Sequence, residues 1–379
     1  MVETTDVLIV GAGPAGLATA IGLAQAGVDF RIVDRLGEAQ NTSRAAVIHA
    51  ATLESLGRLG IAEHLIAQGI KAPDFRVRER DQVLLEVEFS ALDSATPFAL
   101  MIPQDETEAI LTARLEQLGH RVIRPAQVTE ITRQQDAAIV SLDRGSSQQS
   151  IKARLVIGAD GEKSLVRATA GIGFPGDTYG SFLLADVHMD WPLPASEVGL
   201  FFARGGTLVV APMSRSRFRV VAQLADAPAQ PSVADVQRII DLRGPSRGVL
   251  VHDVIWGSRF QVHHKLADRF REGPFLLVGD AAHVHSPAGG QGMNLGLRDA
   301  EALAAAVTGF LQDGGGQLDV YAKERRASAQ QVLDRTDRLT KLATLQAPAP
   351  RWLRNRLLNL FGRSPTIRKR LAQMLAGYR

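Results

Sequence analysis

Two stretches of this sequence combine glycines and carboxylates at spacings that could hold a ligand. The longer, Gly279-Asp280-Ala281-Ala282-His283-Val284-His285-Ser286-Pro287-Ala288-Gly289-Gly290-Gln291-Gly292-Met293-Asn294, follows the apolar run Phe275 to Val278 and leads into an alanine- and leucine-rich segment. That order reads as buried strand, ligand-facing turn, helix. Asp280 falls at the carboxyl end of the strand, where open α/β sheets bind ligands, and its carboxylate can accept hydrogen bonds from the hydroxyls of a polyol. Gly289, Gly290 and Gly292 leave backbone N–H groups uncovered. Those donors and the positive end of the following helix can approach a flat, electron-rich or anionic ligand.

The shorter stretch is Gly11-Ala12-Gly13-Pro14-Ala15-Gly16, set between the apolar run Asp6 to Val10 and a helical stripe of Leu17, Ile21 and Ala24. Gly11 permits the tight turn, Gly13 lets a pyrophosphate approach the backbone, and Gly16 allows close helix packing. A second strand, Phe30 to Val33, ends in Asp34, whose carboxylate can take both hydroxyls of a ribose. Together these read as a dinucleotide-binding βαβ unit.

Three further sites have two readings each. Arg44 is either a solvated surface charge or a guanidinium clamping a pyrophosphate. Gln104 stands near the start of a helix carrying Ile110, Leu111 and Leu115, where its amide is either exposed or turned to a ligand. Asp160-Gly161 follows a return strand from Ile151 to Ile157 and is either a simple turn or part of the ligand site.

The elements that must position these residues point to an α/β fold. Val122-Ile123, Val128 to Ile131 and Ala138 to Leu142 read as short strands. The alternation at Val77, Val83, Leu85, Val87 and Phe89, and the runs Phe182 to Val187, Val198 to Phe202, Leu208 to Pro212, Phe218 to Leu224 and Val249 to Trp256, predict a second, mainly antiparallel sheet. The expected architecture is a Rossmann-like cofactor-binding domain with an inserted, mainly antiparallel β-sheet substrate domain and a C-terminal helical tail. Its parts are residues 1–73, 100–173 and 269–345 for the cofactor, 74–99 and 174–268 for the substrate, and 346–379 for the tail. A cleft between the two domains would take a small molecule.

Composition excludes several classes. The 379 residues include no cysteine, so disulfides, thiolate metal sites and cysteine-pair redox relays are absent. The uncharged run Val7 to Val28 is preceded by Glu3 and Asp6 instead of basic residues, and with the fold expected to start within ten residues of Met1 no removable leader is expected. A cytoplasmic protein is expected. Residues 338–379 hold ten Lys or Arg and no Asp or Glu, leaving 33 basic against 40 acidic residues elsewhere. Basicity therefore belongs to the tail and gives no argument for nucleic acid. The tail's stripe of Trp352, Leu353, Leu357, Leu360 and Phe361 reads mainly as a helix packed on its own domain, with a membrane-surface or partner-binding helix as the lesser alternative.

The glycine fingerprint, the Asp160-Gly161 pair and Gly279-Asp280 with its PxGGxGMN extension, taken together, resemble the single-component FAD-dependent aromatic hydroxylases, the group typified by p-hydroxybenzoate hydroxylase, from about residue 7 to 345. The resemblance implies Gly11, Gly13, Pro14, Ala15 and Gly16 at the FAD pyrophosphate and Asp34, with Arg35 beside it, at the adenosine ribose. Arg44 would lie at the pyrophosphate, Gln104 by the ribityl or phosphate region, and Val128 at adenine. It further implies Asp160 bracing Arg44 and the nicotinamide path, Asp280 at the ribityl chain, and Pro287, Gly290, Gln291, Gly292, Met293 and Asn294 along the isoalloxazine. His283 would be structural instead of a general base. NADPH or NADH would reduce FAD, O2 would add at flavin C4a, and the resulting hydroperoxide would hydroxylate a phenolic, aromatic-acid or polycyclic ring. A phenol base is undecided among Tyr179, His188, His252 and His263. The alternatives are a flavin halogenase or isoprenoid reductase of the same fold, or a flavin-binding protein with little turnover docked through its basic tail.

Overall fold

The computed structural model describes residues 2–38, 45–145, 147–214, 216–285, 290–343 and 348–378. Two sheets dominate it. In the first, the strands Arg271–Glu272, Phe275–Leu277, Gln148–Gly158, Glu3–Val10 and Phe30–Val33 lie in that spatial order. The central three and Phe30–Val33 run parallel, and Gln127–Arg133 and Ala138–Asp143 extend the Gln148–Gly158 strand as an antiparallel flap. Val7, Leu8 and Ile9 are fully buried, as a parallel strand covered on both faces requires. The helices Pro14–Gln25, Gln104–Gln117 and Gln291–Asp313 pack against one another over this sheet.

The second sheet has eight strands: His283–Val284, Leu250–Leu266, Gly176–Asp190, Arg217–Gln223, Gly206–Pro212, Glu197–Ala203, Asp74–Glu79 and Gln82–Glu88. All neighbours are antiparallel except Glu197–Ala203 beside Asp74–Glu79. One face buries Leu183, Val187, Phe201, Leu208 and Val220 against the helix Val233–Arg243. A small sheet of Val47–Ile48, Ala99–Met101 and Ile70–Ala72 lies between the two large ones in the chain's path.

Three local expectations change. Val122-Ile123 is not a strand but a single bridge from Ile123 to Val33, because Pro125 brings no N–H to continue a ladder. The strands expected at Phe182 to Val187 and Val249 to Trp256 are the middle of one strand and the start of the other in a long ribbon, Gly176–Asp190 paired with Leu250–Leu266. The Val233–Arg243 helix went unread among β-rich runs although its start is signalled: Ser232 and Asp235 form a reciprocal capping box.

The tail folds back on the body. In the helix Pro365–Leu375 and its end, Ala372 and Ala376 are buried beside Ala50 and Met101. Ala51 N–H donates to the Ala376 carbonyl at 3.1 Å, and Tyr378 Oη donates to Ser94 Oγ at 2.9 Å. No helix among the described residues is long and apolar enough to cross a membrane.

Candidate functional site

The glycine fingerprint divides its labour. A Cβ on Gly11, whose φ is +102°, would lie 2.3 Å from the Ala159 carbonyl oxygen, and one on Gly16 would lie 2.0 Å from the Gly11 carbonyl oxygen. Both glycines are demanded by the protein's own backbone, which the Ala159 N–H to Val10 carbonyl bond at 2.8 Å draws together. Gly13 is different. It caps the Pro14–Gln25 helix in extended geometry without a side-chain cap, and a Cβ there would meet nothing within 4 Å. No packing constraint within the protein demands a glycine here, and the N–H groups of a helix's first turn can face an anion.

Asp34 sits beside this turn, accepting from Ala12 N–H at 2.7 Å and Leu36 N–H at 2.9 Å. Arg35 is exposed. The chain returns here through Ile123 to Ala126: Asp34 N–H donates to the Ile123 carbonyl and Ala126 N–H to the Asp34 carbonyl. That return carries Arg124, whose Nη2 donates to the Ala12 carbonyl at 3.2 Å while its Nε is buried without a hydrogen-bond partner. Val128 lies two residues further, paired with Leu142 in the flap. Gln104 heads its helix, taking Ala45 N–H at 3.4 Å and donating to Glu108 Oε1 at 2.8 Å. Burial pushes the Glu108 carboxyl up, with the Gln104 bond and the Arg124 charge opposing. Sequence reasoning missed Arg124 and Glu108, because neither belongs to a motif and both arrive through long-range packing.

Ser164 caps the short Leu165–Thr169 helix, its Oγ accepting from Arg167 N–H at 3.0 Å, and Asp160 Oδ2 adds to the cap by accepting from Leu165 N–H at 2.7 Å and Val166 N–H at 3.3 Å. The Asp160 Oδ1 is buried with no hydrogen-bond partner, and burial raises the carboxyl's pKa against the opposing pull of the Ser164 hydroxyl and the backbone N–H groups. Arg167 ties this loop to the second turn, donating to the Ala281 carbonyl at 2.9 Å and the Glu162 carbonyl at 2.7 Å, with its guanidinium 3.8 Å over the Phe174 ring.

At the second turn, Gly279 has φ +64°, and its own Cβ would come within 2.9 Å of Ala15, so the turn nests on the first helix. Asp280 is exposed in the 3-10 turn Gly279–Ala281. The Gln291–Asp313 helix begins at Gly290, φ +63°, without a side-chain cap. Gly292 faces His285, Met293 is half-buried on the core, and Gln291 Nε2 donates to the Leu375 carbonyl at 3.3 Å. Buried Asn294 fixes the whole start: Oδ1 accepts from His49 N–H at 2.7 Å, and Nδ2 donates to the Val47 carbonyl at 2.8 Å and the Gly290 carbonyl at 2.7 Å. Arg44 and Pro287 lie outside the described residues.

His283 is 1% exposed and bonds Asp299 Oδ2 at 2.7 Å, while Asp299 also pairs with Arg325. The three side chains form an internal hydrogen-bonded network. His188 and His252 pair with exposed Asp253 and Asp190 at the end of the ribbon away from the cofactor turns. His263, bonded to Thr178 at 3.0 Å, lies at the near end with Glu162 and Lys265. Among the described residues no group of three or more His, Asp or Glu is placed to hold a metal ion.

The Pro14–Gln25 and Gln291–Asp313 helices, both starting without a side-chain cap, pack on each other beside the parallel strands. Gly13, open where a Cβ would otherwise stand, and the unpartnered Asp160 Oδ1 fit a flavin dinucleotide. The FAD binding domain family matches residues 4–336. An aromatic compound monooxygenase of Bacillus subtilis is 36% identical over 354 residues, 90% of this chain and 69% of that protein. A 6-methylpretetramide 4-monooxygenase of Streptomyces rimosus is 34% identical, covering 91% of this chain and 63% of that protein. The chain thus spans about two thirds of these relatives' length. The p-nitrophenol 4-monooxygenase of Pseudomonas putida superposes with TM-score 0.89 at 25% identity, covering both chains fully. The class is that of FAD-dependent flavoprotein monooxygenases, and within it the chain belongs to the aromatic hydroxylase family.

Proposed function

We propose that the protein hydroxylates a phenolic or larger activated aromatic ring with O2, drawing electrons from NADH or NADPH through FAD. The observation that carries this reading is the packing of the Pro14–Gln25 helix, whose start at Gly13 is open, on the Gln291–Asp313 helix and on the Gly279 turn before it. Bound FAD supplies acceptance of a hydride and activation of oxygen. Gly13 to Gly16 would hold its pyrophosphate by N–H groups, Asp34 and Arg35 the adenosine side with Val128, and Gln104, Asp160 and Asp280 the middle. Arg44 would join Gly13 to Gly16 at the pyrophosphate, and Pro287 with Gly290 to Asn294 would line the isoalloxazine.

The chain's own residues position and dry the reacting face. Asp186, 2% exposed, holds Arg219 at 2.7 Å and Arg217 at 2.8 Å. Arg219 in turn donates to the Ala45 carbonyl at 2.8 Å, fixing the second sheet to the segment beside Gln104. An apolar cluster that includes Ala46, Met101, Phe202 and Met213 spans the two and keeps water from a ring held there. The relatives' substrates, p-nitrophenol and 6-methylpretetramide, bracket the proposed class.

The test is oxidation of NADH and of NADPH by the FAD-loaded protein with a panel of phenols, aromatic acids and polycyclic phenols, with hydrogen peroxide followed alongside. Stimulated oxidation with little peroxide is the expected result. A protein that cannot be loaded with FAD would overturn the reading.

A further inference from the structure

The Pro348–Phe361 helix lies on the outer edge of the second sheet by one face. Arg354 is buried with its guanidinium 4.2 Å over the Phe202 ring, Asn355 bonds Glu79, and Leu358 packs into the cluster holding Leu85 and Phe89. The opposite face is apolar and uncovered. Trp352, Leu353, Leu357, Leu360 and Phe361 are 40–60% exposed. Their positions, together with exposed Arg356, repeat every four residues, so they form one ridge about 14 Å long.

We propose that this ridge docks the protein on an anionic lipid surface. Charge selects the partner: residues 338–379 hold ten Lys or Arg and no Asp or Glu. Arg356, Arg363, Lys369 and Arg370 are exposed near the ridge, and the Arg356 guanidinium sits 5.0 Å over the Trp352 ring. Tryptophan, leucine and phenylalanine flanked by arginines make up a helix that lies in the plane of a bilayer interface, its rings at the acyl boundary and its guanidinium groups at lipid phosphates. A second copy fits less well. The ridge offers roughly 500 Å² of apolar side chain, taking aromatic side chains at 150–250 Å² each, against about 800 Å² per partner in a stable interface. A two-fold contact would also set this unbalanced positive surface against itself. The remainder of the chain, with 33 basic and 40 acidic residues, would be held away from an anionic membrane, which leaves the tail as the orienting face.

The experiment is flotation of the FAD-loaded full chain with vesicles of phosphatidylcholine containing about 30% phosphatidylglycerol, or of phosphatidylcholine alone, at roughly 50 and 500 mM salt. Binding to the anionic vesicles at low salt is expected, at least about tenfold weaker in the W352S/L360S variant and in high salt. The control Leu242→Ser, which removes an apolar residue 69% exposed elsewhere, should bind as the parent does. All variants should retain FAD absorbance and the parent's circular dichroism. Three outcomes overturn the proposal: no binding to either vesicle at low salt; salt-sensitive binding indifferent to W352S/L360S; or a dimer in size-exclusion chromatography that W352S/L360S splits, without vesicle binding, which would give the ridge to a second copy.

Discussion

The two helix starts at the cofactor site solve the same problem with different means. Around Gly11 to Gly16 the turn is set by main chain against main chain, with Gly11 and Gly16 each within 2.3 Å of a carbonyl oxygen if given a Cβ. Around Gly290 the turn is set by one side chain, Asn294, which makes three hydrogen bonds to the backbone of Val47, His49 and Gly290. The first arrangement leaves no room for an added atom against main chain. The second is also closed to a Cβ at Gly290, which would lie 2.1 Å from Val47 Cγ1, and depends in addition on the polarity of Asn294.

Substitutions can break this contrast. Gly16→Ala drives a methyl into the Gly11 carbonyl and should cost about 3 kcal/mol, measured by urea unfolding of the apoprotein, with FAD binding lost alongside. Asn294→Ala strands the His49 N–H and the Val47 carbonyl and should cost about 2 kcal/mol; an unchanged unfolding midpoint would mean that the Gly290 turn is set by backbone after all. Gly13→Ala sharpens the comparison most, since its Cβ meets nothing in the protein. Apoprotein stability should stay within ~0.5 kcal/mol, while FAD affinity falls tenfold or more, about 1.4 kcal/mol, in fluorescence titration. Equal losses of stability and affinity would remove Gly13 from the cofactor's path.

The first turn was legible in the sequence because its requirement is steric and local: only glycine meets it, at fixed spacing, between a β run and a helical stripe. The second was legible as a turn but not as a mechanism, since His49 and Val47, two of the three partners of Asn294, lie 245 and 247 residues away in the chain. Distance in sequence also hid Arg124 and Glu108, which reach the Asp34 region from a helix and a return segment with no motif of their own. The Trp352 to Phe361 stripe shows another limit. Periodicity marks a helix with an apolar side, but only the packing of Arg354 and Leu358 reveals that much of that side faces outward.

The interleaving of the two large sheets bears on how the chain is made. The parallel sheet draws on residues 3–10, 30–33, 127–158 and 271–277, and the second on 74–88, 176–223, 250–266 and 283–284. Neither sheet gains its last strand until the ribosome has passed residue 270. Unpaired strand edges must therefore wait through most of translation, where a nascent chain of such non-local pairing folds slowly and invites chaperones or aggregation. Expression at lower temperature, or slower synthesis ahead of residue 284, should then govern the yield of active enzyme more than any change to the finished fold.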